Sequence, residues 1–421
     1  MAIAVVGMLD EREEGLQLIK DHIEKRGHRP VLIDISIGTG AIESSLKPDI
    51  DCHALARSGG TTIEKVRAML VKERDKATAM MADGLGKILQ ENHHAGQLQG
   101  IIAVGGMTGT FISLSAMKLL PFGVPKLLIS SVAAMPAYAK KLAEFFGVRD
   151  VTVMHSVVDT VGLNPLVRRL MVNGAGAICG MVETEEPAPQ EEKRSIALTE
   201  FGFCDKGAHY VREMLENDFS IISFHATGIG EKAAMDLVGQ GLFEAFIDMV
   251  PAGFSEYLLG GNRTAGPGRL EAGVCQDKPY ILTPCGFDMI SCGPIQRRDA
   301  QDPLWTSRNL AARKLLLQDA IRVQARTSVA EMQTIAQEVA NKLNQSKNKK
   351  LIKFILPTKG FSSLSVEGGA LYEPLSDKAF IDALKKSLDD DISVIEVEAD
   401  INTPEFARAV VDALHQALDQ N

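Results

Sequence analysis

The sequence has few aromatic residues, no excess of positive charge and no long apolar run. Only 5% of the 421 residues are aromatic, and 45 Lys and Arg stand against 54 Asp and Glu, for a net charge of −9. Proteins that bind duplex DNA or anionic membranes need a basic face, so both partners are disfavoured. No apolar run reaches the roughly 18 residues of a membrane span, and the N-terminus lacks a signal-peptide pattern. We therefore expect a cytoplasmic protein without membrane contact.

Cysteine and histidine are too scattered to indicate a disulfide framework or a metal centre. The six cysteines form no CxxC pair and the nine histidines form no HExxH motif. Scattered thiols in a large chain are typical of reduced core residues. The GxxxxGK[ST] order of a P-loop and the G-x-S-x-G elbow of serine hydrolases are absent too. The pattern predicts no protein-built metal site and disfavours a Walker-type NTPase or a serine hydrolase.

What is present is ample material for more than one buried core, because 45% of the residues are apolar and 24% are charged. One stretch, TEEPAPQEEKR at 184–194, has two prolines and no large apolar residue, which is typical of a linker. We predict an N-terminal domain at 1–183, this linker at 184–194, and a C-terminal domain at 195–421.

Short β-branched runs alternate with helical patterns in both halves, which predicts parallel sheets covered by helices. The fold class is therefore α/β, with two Rossmann-like domains of mainly parallel sheets that we expect to face a central cleft. Ligands of such sheets bind at the carboxyl ends of the strands. The predicted strands lie at 3–6, 31–35, 100–104, 126–129, 151–154, 196–198, 220–224, 280–282, 351–355 and 394–397, and the clearest helices at 62–90, 327–344 and 403–418.

The loop GGMTGT follows the apolar strand GIIAV and precedes a helix. Glycines here allow a sharp turn, and the following helix adds unpaired N–H groups and the positive end of its dipole. Gly105, Gly106, Thr108, Gly109 and Thr110 could thus form a seat for phosphate. The alternative is a tight turn in which a threonine caps the helix.

A second loop, ATGIGEKA at 226–233, follows the strand SIISFH and fits GxGxxA. Asp248 stands twenty residues after Gly228, where a ribose-binding acid of a dinucleotide fold would be. Thr227, Gly228 and Gly230 are therefore candidate cofactor contacts, either as a dinucleotide fingerprint or as a more general ligand loop. His225 could donate to a substrate or be a structural histidine.

Further loops at strand ends carry candidate acids, bases and cations. His155 and Asp159 are four residues apart, so a helical turn would let Asp159 orient His155 for acid–base work. The alternative is that His155 is a structural hydrogen-bonding group. Asp288 follows a strand in TPCGFD, and Lys359 follows LIKFIL. Asp10 lies after the first strand, where it could bind a ligand or cap a helix. We take His155, Asp159, His225 and Asp288 as catalytic candidates.

Taken in order, these loops resemble the Tm-one-like ATP-binding domain family, named after a tomato mosaic virus resistance protein and otherwise made up of uncharacterised bacterial homologues. The resemblance extends from Val5 to Leu418. It is carried by GMLDEREEG, GGMTGT, GVPKLLISSVA at 123–133, the stretch 154–183, FHATGIGEKAAMD, GPGRLEA at 266–272, GFDMISCGP at 286–294, and the stretches 356–374 and 398–414.

The resemblance implies ATP on the first domain, with contacts from Asp10 and the 105–110 loop. The loop at Ser130 and Ser131 stands where the family has Ser-Thr-x-Ala-Ser-Gly, and we take both serines as candidate cofactor contacts. After the first Leu-Asp the family has Thr-Lys-Gly-Glu-Glu, where this chain has Glu11-Arg12-Glu13-Glu14-Gly15.

The function that we expect is a small-molecule enzyme that uses ATP with Mg²⁺, because a metal ion must screen the polyphosphate. Asp10 and Asp159 are the acids that could hold the ion. A nucleotide-responsive binding protein without turnover and a nicotinamide-dependent oxidoreductase remain alternatives. The expected partners are a nucleotide, a small-molecule ligand and a second copy of the chain in a homo-oligomer.

Overall fold

A computed structural model describes residues 1–185 and 193–420. The chain divides into two compact units, Met1–Ala188 and Pro189–Asn421. Most of the predicted linker at 184–194 lies outside the described residues, so the domain boundaries stay a prediction. Among the described residues, no helix is both long enough and apolar enough to cross a membrane.

The first unit is built on five parallel strands in the order β2-β1-β3-β4-β5. Alternation along the strands gives the sheet two apolar faces. Ile3 and Val5 face one core, and Ala4 and Val6 face the other. The strands are β1 (Ala2–Gly7), β2 (Arg29–Asp34), β3 (Gly100–Gly105), β4 (Lys126–Ser130) and β5 (Thr152–His155).

Helices cover both faces of this sheet. They are α1 (Leu9–Lys25), α2 (Cys52–Ser58), α3 (Ile63–Met69), α4 (Arg74–His94), α5 (Met107–Met117), α6 (Ala139–Phe146) and α7 (Pro165–Glu183). The pair α1 and α7 packs on one face, and α2 to α6 build the core on the other.

The second unit has six parallel strands in the order β14-β13-β9-β8-β6-β7, and a separate antiparallel sheet in the order β10-β12-β11. The strands are β6 (Arg194–Glu200), β7 (Phe219–His225), β8 (Ala245–Asp248), β9 (Tyr280–Leu282), β10 (Met289–Ser291), β11 (Leu315–Leu317), β12 (Val323–Arg326), β13 (Ile352–Pro357) and β14 (Ser393–Val397).

The helices of the second unit are α8 (Asp205–Leu215), α9 (Ile229–Gly239), α10 (Ala252–Leu259), α11 (Glu271–Cys275), α12 (Gln296–Asp299), α13 (Pro303–Ser307), α14 (Val329–Leu343), α15 (Pro374–Ser387) and α16 (Pro404–Leu418). Ser328 and Thr403 cap α14 and α16 through their hydroxyls, as the sequence predicts for Thr403.

The predicted α/β class with two mainly parallel sheets is confirmed, and all ten predicted strands are found within a few residues. The predicted helix at 62–90 is wrong in one respect. It is broken after Met69 into α3 and α4, because α3 turns back to pack against both α2 and α4. The short strand β8 and the antiparallel sheet were not predicted.

Candidate functional site

The order of strands in the first unit places a crevice at the carboxyl ends of β1 and β3. These strands are neighbours, yet α1 leaves β1 toward one face of the sheet and α5 leaves β3 toward the other. The β1–α1 loop and the β3–α5 loop therefore diverge at the edge of the sheet. Ligands of open α/β sheets bind at this kind of switch point.

The start of α5 supplies free backbone donors at this crevice. Gly106 is the N-cap, it offers no side-chain cap, and the first turn of α5 holds no acidic residue. Within the described residues, no hydrogen bond satisfies the amides of Gly106, Met107, Thr108 and Gly109. Four unpaired N–H groups at the positive end of a helix attract anions.

Gly105 makes this turn possible. A Cβ at Gly105 would lie 2.7 Å from the backbone carbon of Gly109, so only glycine lets the helix return so close to the end of β3. The glycine pair in the sequence therefore reports a steric requirement. It also leaves the amide edge without side-chain cover.

Arg12 is a candidate residue of this site that the sequence analysis does not single out. Its backbone leaves helical geometry within α1, at φ −134° and ψ 25°, and its side chain is only 3% exposed. The guanidinium Nε donates to Thr160 Oγ1 at 2.7 Å, and Nη1 donates to Glu11. The third nitrogen, Nη2, donates no hydrogen bond within the described residues and lies 3.6 Å from Asp159 Oδ1.

The Nη2 of Arg12 lies beside the start of α5. A Cβ on Gly106 would be 2.9 Å from Arg12 Nη2 and 4.0 Å from Ser131 Oγ. The guanidinium and the helix N-terminus thus bring two positive groups to one place. Two carboxylates accompany the guanidinium, Glu11 at Nη1 and Asp159 at 3.6 Å from Nη2, and the Asp159 side chain is 72% exposed. The arrangement is chemically suited to hold an anion.

The other predicted contacts of this edge divide into two groups. Thr110 and Ser130 are buried, and their hydroxyls bond each other at 2.7 Å, so they support the turn from inside. Ser131 is half-buried and no hydrogen bond of its hydroxyl is found in the described residues. Thr108 likewise has a half-buried side chain at the first turn of α5.

Asp10 lies in the first turn of α1, on the opposite side of the crevice. Its Oδ2 accepts from the Gly40 amide at 3.0 Å, while Oδ1 is buried without a hydrogen-bond partner in the described residues. Nearby, Asp34 accepts from the Leu9 amide at 3.2 Å and fixes the start of α1. Asp10 therefore keeps one acceptor oxygen unused.

His155 and Asp159 do not share a helical turn, contrary to the condition set in the sequence analysis. Residues after β5 form an irregular loop with Val157 at φ +64°. His155 Nδ1 lies 3.2 Å from the Ser130 carbonyl, and Asp159 faces Arg12. Both residues still lie at the carboxyl edge of the sheet, beside the end of β4.

In the second unit, the 226–233 loop does not build the predicted ribose site. The Asp248 carboxylate is fully buried and accepts hydrogen bonds from Arg269, Thr199 and Tyr280 at 2.6–2.8 Å. A ribose hydroxyl cannot reach it, which corrects the interpretation of Asp248.

The glycines of this loop serve local packing. Gly228 has φ +84°, and its amide donates to Glu231 at 3.0 Å. A Cβ on Gly230 would lie 2.0 Å from the His225 carbonyl oxygen. Burial raises the pKa of Glu231, against the attraction of Arg269. Thr227 and the His225 side chain are exposed.

The remaining candidates of the second unit, Asp288 and Lys359, have their own partners and form no hydrogen bond or ion pair with the 226–233 loop in the described residues. Asp288 is fully buried and accepts from Ser362 Oγ at 2.5 Å, and Arg326 Nη1 lies 3.9 Å from it. Lys359 is exposed and pairs with Glu398 at 3.3 Å. Among the described residues, no group of three or more His, Cys, Asp or Glu could hold a metal ion.

Comparison with known proteins follows the two units. Residues 1–187 match the uncharacterised protein family (UPF0261) N-terminal domain, and residues 193–418 match its C-terminal domain. The chain belongs to the UPF0261 family. A UPF0261 protein from Clostridium tetani is 32% identical over 99% of each chain, and one from Brucella suis is 31% identical over 96% of this chain and 93% of its own.

The UPF0261 chain is also similar to the ToMV resistance protein Tm-1(GCR237) of Solanum lycopersicum. The identity is 26%, and the match covers 97% of this chain and 54% of the tomato protein. The resemblance drawn from the sequence motifs is therefore confirmed at the level of the family.

Proposed function

We propose that this UPF0261 protein binds a nucleoside polyphosphate, with ATP as the expected ligand, at the β1–β3 edge of its first unit. The observation that carries the proposal is the Nη2 of buried Arg12, which is ion-paired with Asp159 but donates no hydrogen bond in the described residues, beside the unpaired amides of Gly106 to Gly109. Charge-assisted hydrogen bonds from a guanidinium are strong and geometrically specific for phosphate. Backbone amides add donors that need no reorganisation.

Each group has a separate part in binding. The amides at the start of α5 would bind one phosphate group, and the Arg12 guanidinium would donate to an oxygen of the same group. Thr160 and Glu11 fix the guanidinium, so little side-chain freedom is lost when the anion arrives. Ser131 could donate a further hydrogen bond from the neighbouring strand end.

Mg²⁺ would accompany the polyphosphate and neutralise part of its charge. This ion is typically held by one or two carboxylates together with phosphate oxygens and water. The buried, unpartnered Oδ1 of Asp10 and the exposed carboxylate of Asp159 are suitable donors. The protein would then supply positioning, and His155 is the acid–base candidate at the same sheet edge.

The test is titration calorimetry with Mg²⁺·ATP and with tripolyphosphate. We expect Arg12→Gln to weaken both ligands by about tenfold or more, the effect of roughly 1.4 kcal/mol from a lost charged hydrogen bond. Arg57→Gln removes an exposed arginine of the same unit and should leave binding unchanged.

A second variant guards against a folding defect in Arg12→Gln. Gly106→Ala retains the arginine but adds a methyl group that would lie 2.9 Å from Nη2, so it displaces the guanidinium from the place where the anion would bind. Its backbone, at φ −81° and ψ −150°, suits alanine. Binding of tripolyphosphate that survives in both folded variants would refute the proposed site.

A further inference from the structure

The first unit has a cavity beside the start of α5 that the phosphate site does not use. Its volume is about 340 Å³, and it lies between α4, α5 and α6. Met107 and Thr108 line it as well as forming the first turn of α5, so cavity and amide donors adjoin. We propose that this cavity holds the base of the bound nucleotide, an inference that rests on the proposed polyphosphate site.

The lining of the cavity is suited to a flat heteroaromatic ring. The ring centroid of Phe111 lies 6.0 Å from that of Tyr138 and 6.3 Å from that of Phe145. The three rings form an aromatic cluster in a chain that has few aromatic residues. Tyr138 and Phe145 are half-buried and so remain accessible from the cavity. Stacking on such rings stabilises any nucleobase, because every base has a π face.

One face of Phe111 already carries a positively charged group. Lys141 Nζ lies 4.5 Å from the ring centroid, and Lys141 is otherwise exposed on α6. The contribution of a cation over an aromatic ring is small when the cation itself is exposed to water, as Lys141 is. A base can therefore take this position, and the long Lys141 side chain is then free to move toward the phosphates.

Polar side chains line the cavity together with the aromatic cluster. Asp75 and Arg74 stand at the start of α4, and Thr78 and Ser115 lie deeper along the two helices. A carboxylate accepts from ring or exocyclic N–H groups, and a guanidinium donates to ring nitrogens and carbonyls. These side chains can pair with a base without leaving buried polar groups unsatisfied.

The spacing along α5 connects the two sites. Phe111 follows Met107 by four residues, so it lies about 6 Å farther along the helix axis. A ribose bridges a base and its first phosphate over such a short separation. The amides at the start of α5 and the ring cluster one turn later therefore match the two ends of one nucleotide.

The experiment fills the cavity without touching the phosphate site. Ala79 lines the cavity and is exposed, so Ala79→Trp occupies the space without disturbing the core. Ala143→Trp adds the same side chain to an exposed position of α6 outside the lining and is the matched control. Binding of Mg²⁺·ATP and of tripolyphosphate is measured by calorimetry, and binding of adenosine by saturation-transfer NMR.

We expect Ala79→Trp to weaken ATP by about tenfold or more, as the loss of one stacked base would give. Adenosine binding should vanish, and tripolyphosphate binding should not change. Unchanged ATP and adenosine binding in Ala79→Trp would overturn the base site, even if Arg12→Gln still abolishes phosphate binding. A different result would separate the two proposals. If adenosine binding is lost only in Ala79→Trp and ATP binding is unchanged in Arg12→Gln, the base site is supported and the phosphate site is refuted.

Discussion

A buried arginine surrounded by three carboxylates shows how strongly single residues of this chain depend on their neighbours. Arg326 Nη2 donates to Asp377 Oδ1 at 2.6 Å, its Nε lies 3.5 Å from Glu373 Oε2, and Asp288 lies 3.9 Å from its Nη1. One cation cannot compensate three anions in a low-dielectric interior. Burial raises the pKa of Asp377 to about 7, the attraction of Arg326 lowers it, and the repulsion from Asp288 and Glu373 adds to the rise.

This raised pKa predicts a pH-dependent stability of the second unit. The unfolded chain releases the Asp377 proton near pH 3.8, whereas the folded chain keeps it to about pH 7. The folded state therefore binds more protons in this interval, and its stability falls as pH rises through it. Relative to Asp377→Asn, which cannot ionise, wild type should lose about 2 kcal/mol between pH 4.5 and 6.5.

The measurement is urea unfolding followed by the fluorescence of Trp305, the single tryptophan, which is buried in the same unit. Asp382→Asn removes an exposed acid five residues farther along α15 and is the control. If the difference between wild type and Asp377→Asn is the same at every pH, Asp377 does not titrate in this interval.

At the residue scale, the sequence indicates a local feature such as a glycine turn better than it indicates the distant residue that a side chain contacts. The Gly105-Gly106 pair after an apolar strand identifies the turn, because the glycine requirement is local. Arg12 lies in a charged run that reads as an ordinary helix start, and its role depends on Thr160, 148 residues away. The same holds for Asp248, whose spacing from Gly228 fits a fingerprint while Arg269 neutralises it.

At the scale of elements, two glycines set how closely α2 and α4 cross. A Cβ on Gly84 in α4 would lie 2.1 Å from the Leu55 carbonyl oxygen, and one on Gly59 would lie 2.1 Å from the Met80 carbonyl oxygen. Both contacts involve backbone atoms, which cannot rotate away as a side chain can. The two helices must therefore separate to accept any larger residue.

We expect Gly84→Ala to destabilise the first unit by about 1–3 kcal/mol through this overpacking. Gly176 in α7 is also within a helix, but a Cβ there would meet nothing within 4 Å. Gly176→Ala should stabilise the protein by roughly 0.5–1 kcal/mol, because alanine has the higher helix propensity. Calorimetric unfolding of both variants gives the comparison, and a loss of stability of equal size in both would contradict the argument.

Elements were predictable where local pattern and tertiary role agree. Buried strands such as Tyr280–Leu282 and the capped helix Pro404–Leu418 have clear boundaries in the sequence. The break between α3 and α4 has neither glycine nor proline, and it exists because α3 packs back on its neighbours. Strand β8, with four residues, was not predicted although the three-residue strand Tyr280–Leu282 was, so length does not explain the difference.

At the scale of the whole molecule, each of the two units has its own apolar cores. The apolar clusters of the first unit contain only residues from 3 to 182, and those of the second only residues from 196 to 417. Arg12, Gly106, Ser131, Asp159 and Thr160 all belong to the first unit, as do all residues that line the aromatic cavity. The proposed nucleotide site therefore requires no side chain from the second unit.

This separation of the cores leads to a prediction about fragments. A fragment of residues 1–185 should fold and bind Mg²⁺·ATP as tightly as the full chain, since it holds the sheet, both of its cores and every proposed contact. A fragment of residues 193–421 should fold without binding it, and Arg12→Gln should weaken the first fragment as it does the full chain. Calorimetry decides the matter. An affinity about tenfold or more weaker in a well-folded 1–185 fragment would mean that groups of the second unit contact the nucleotide, as the central cleft expected from the sequence requires, and that the first unit is only half of the site.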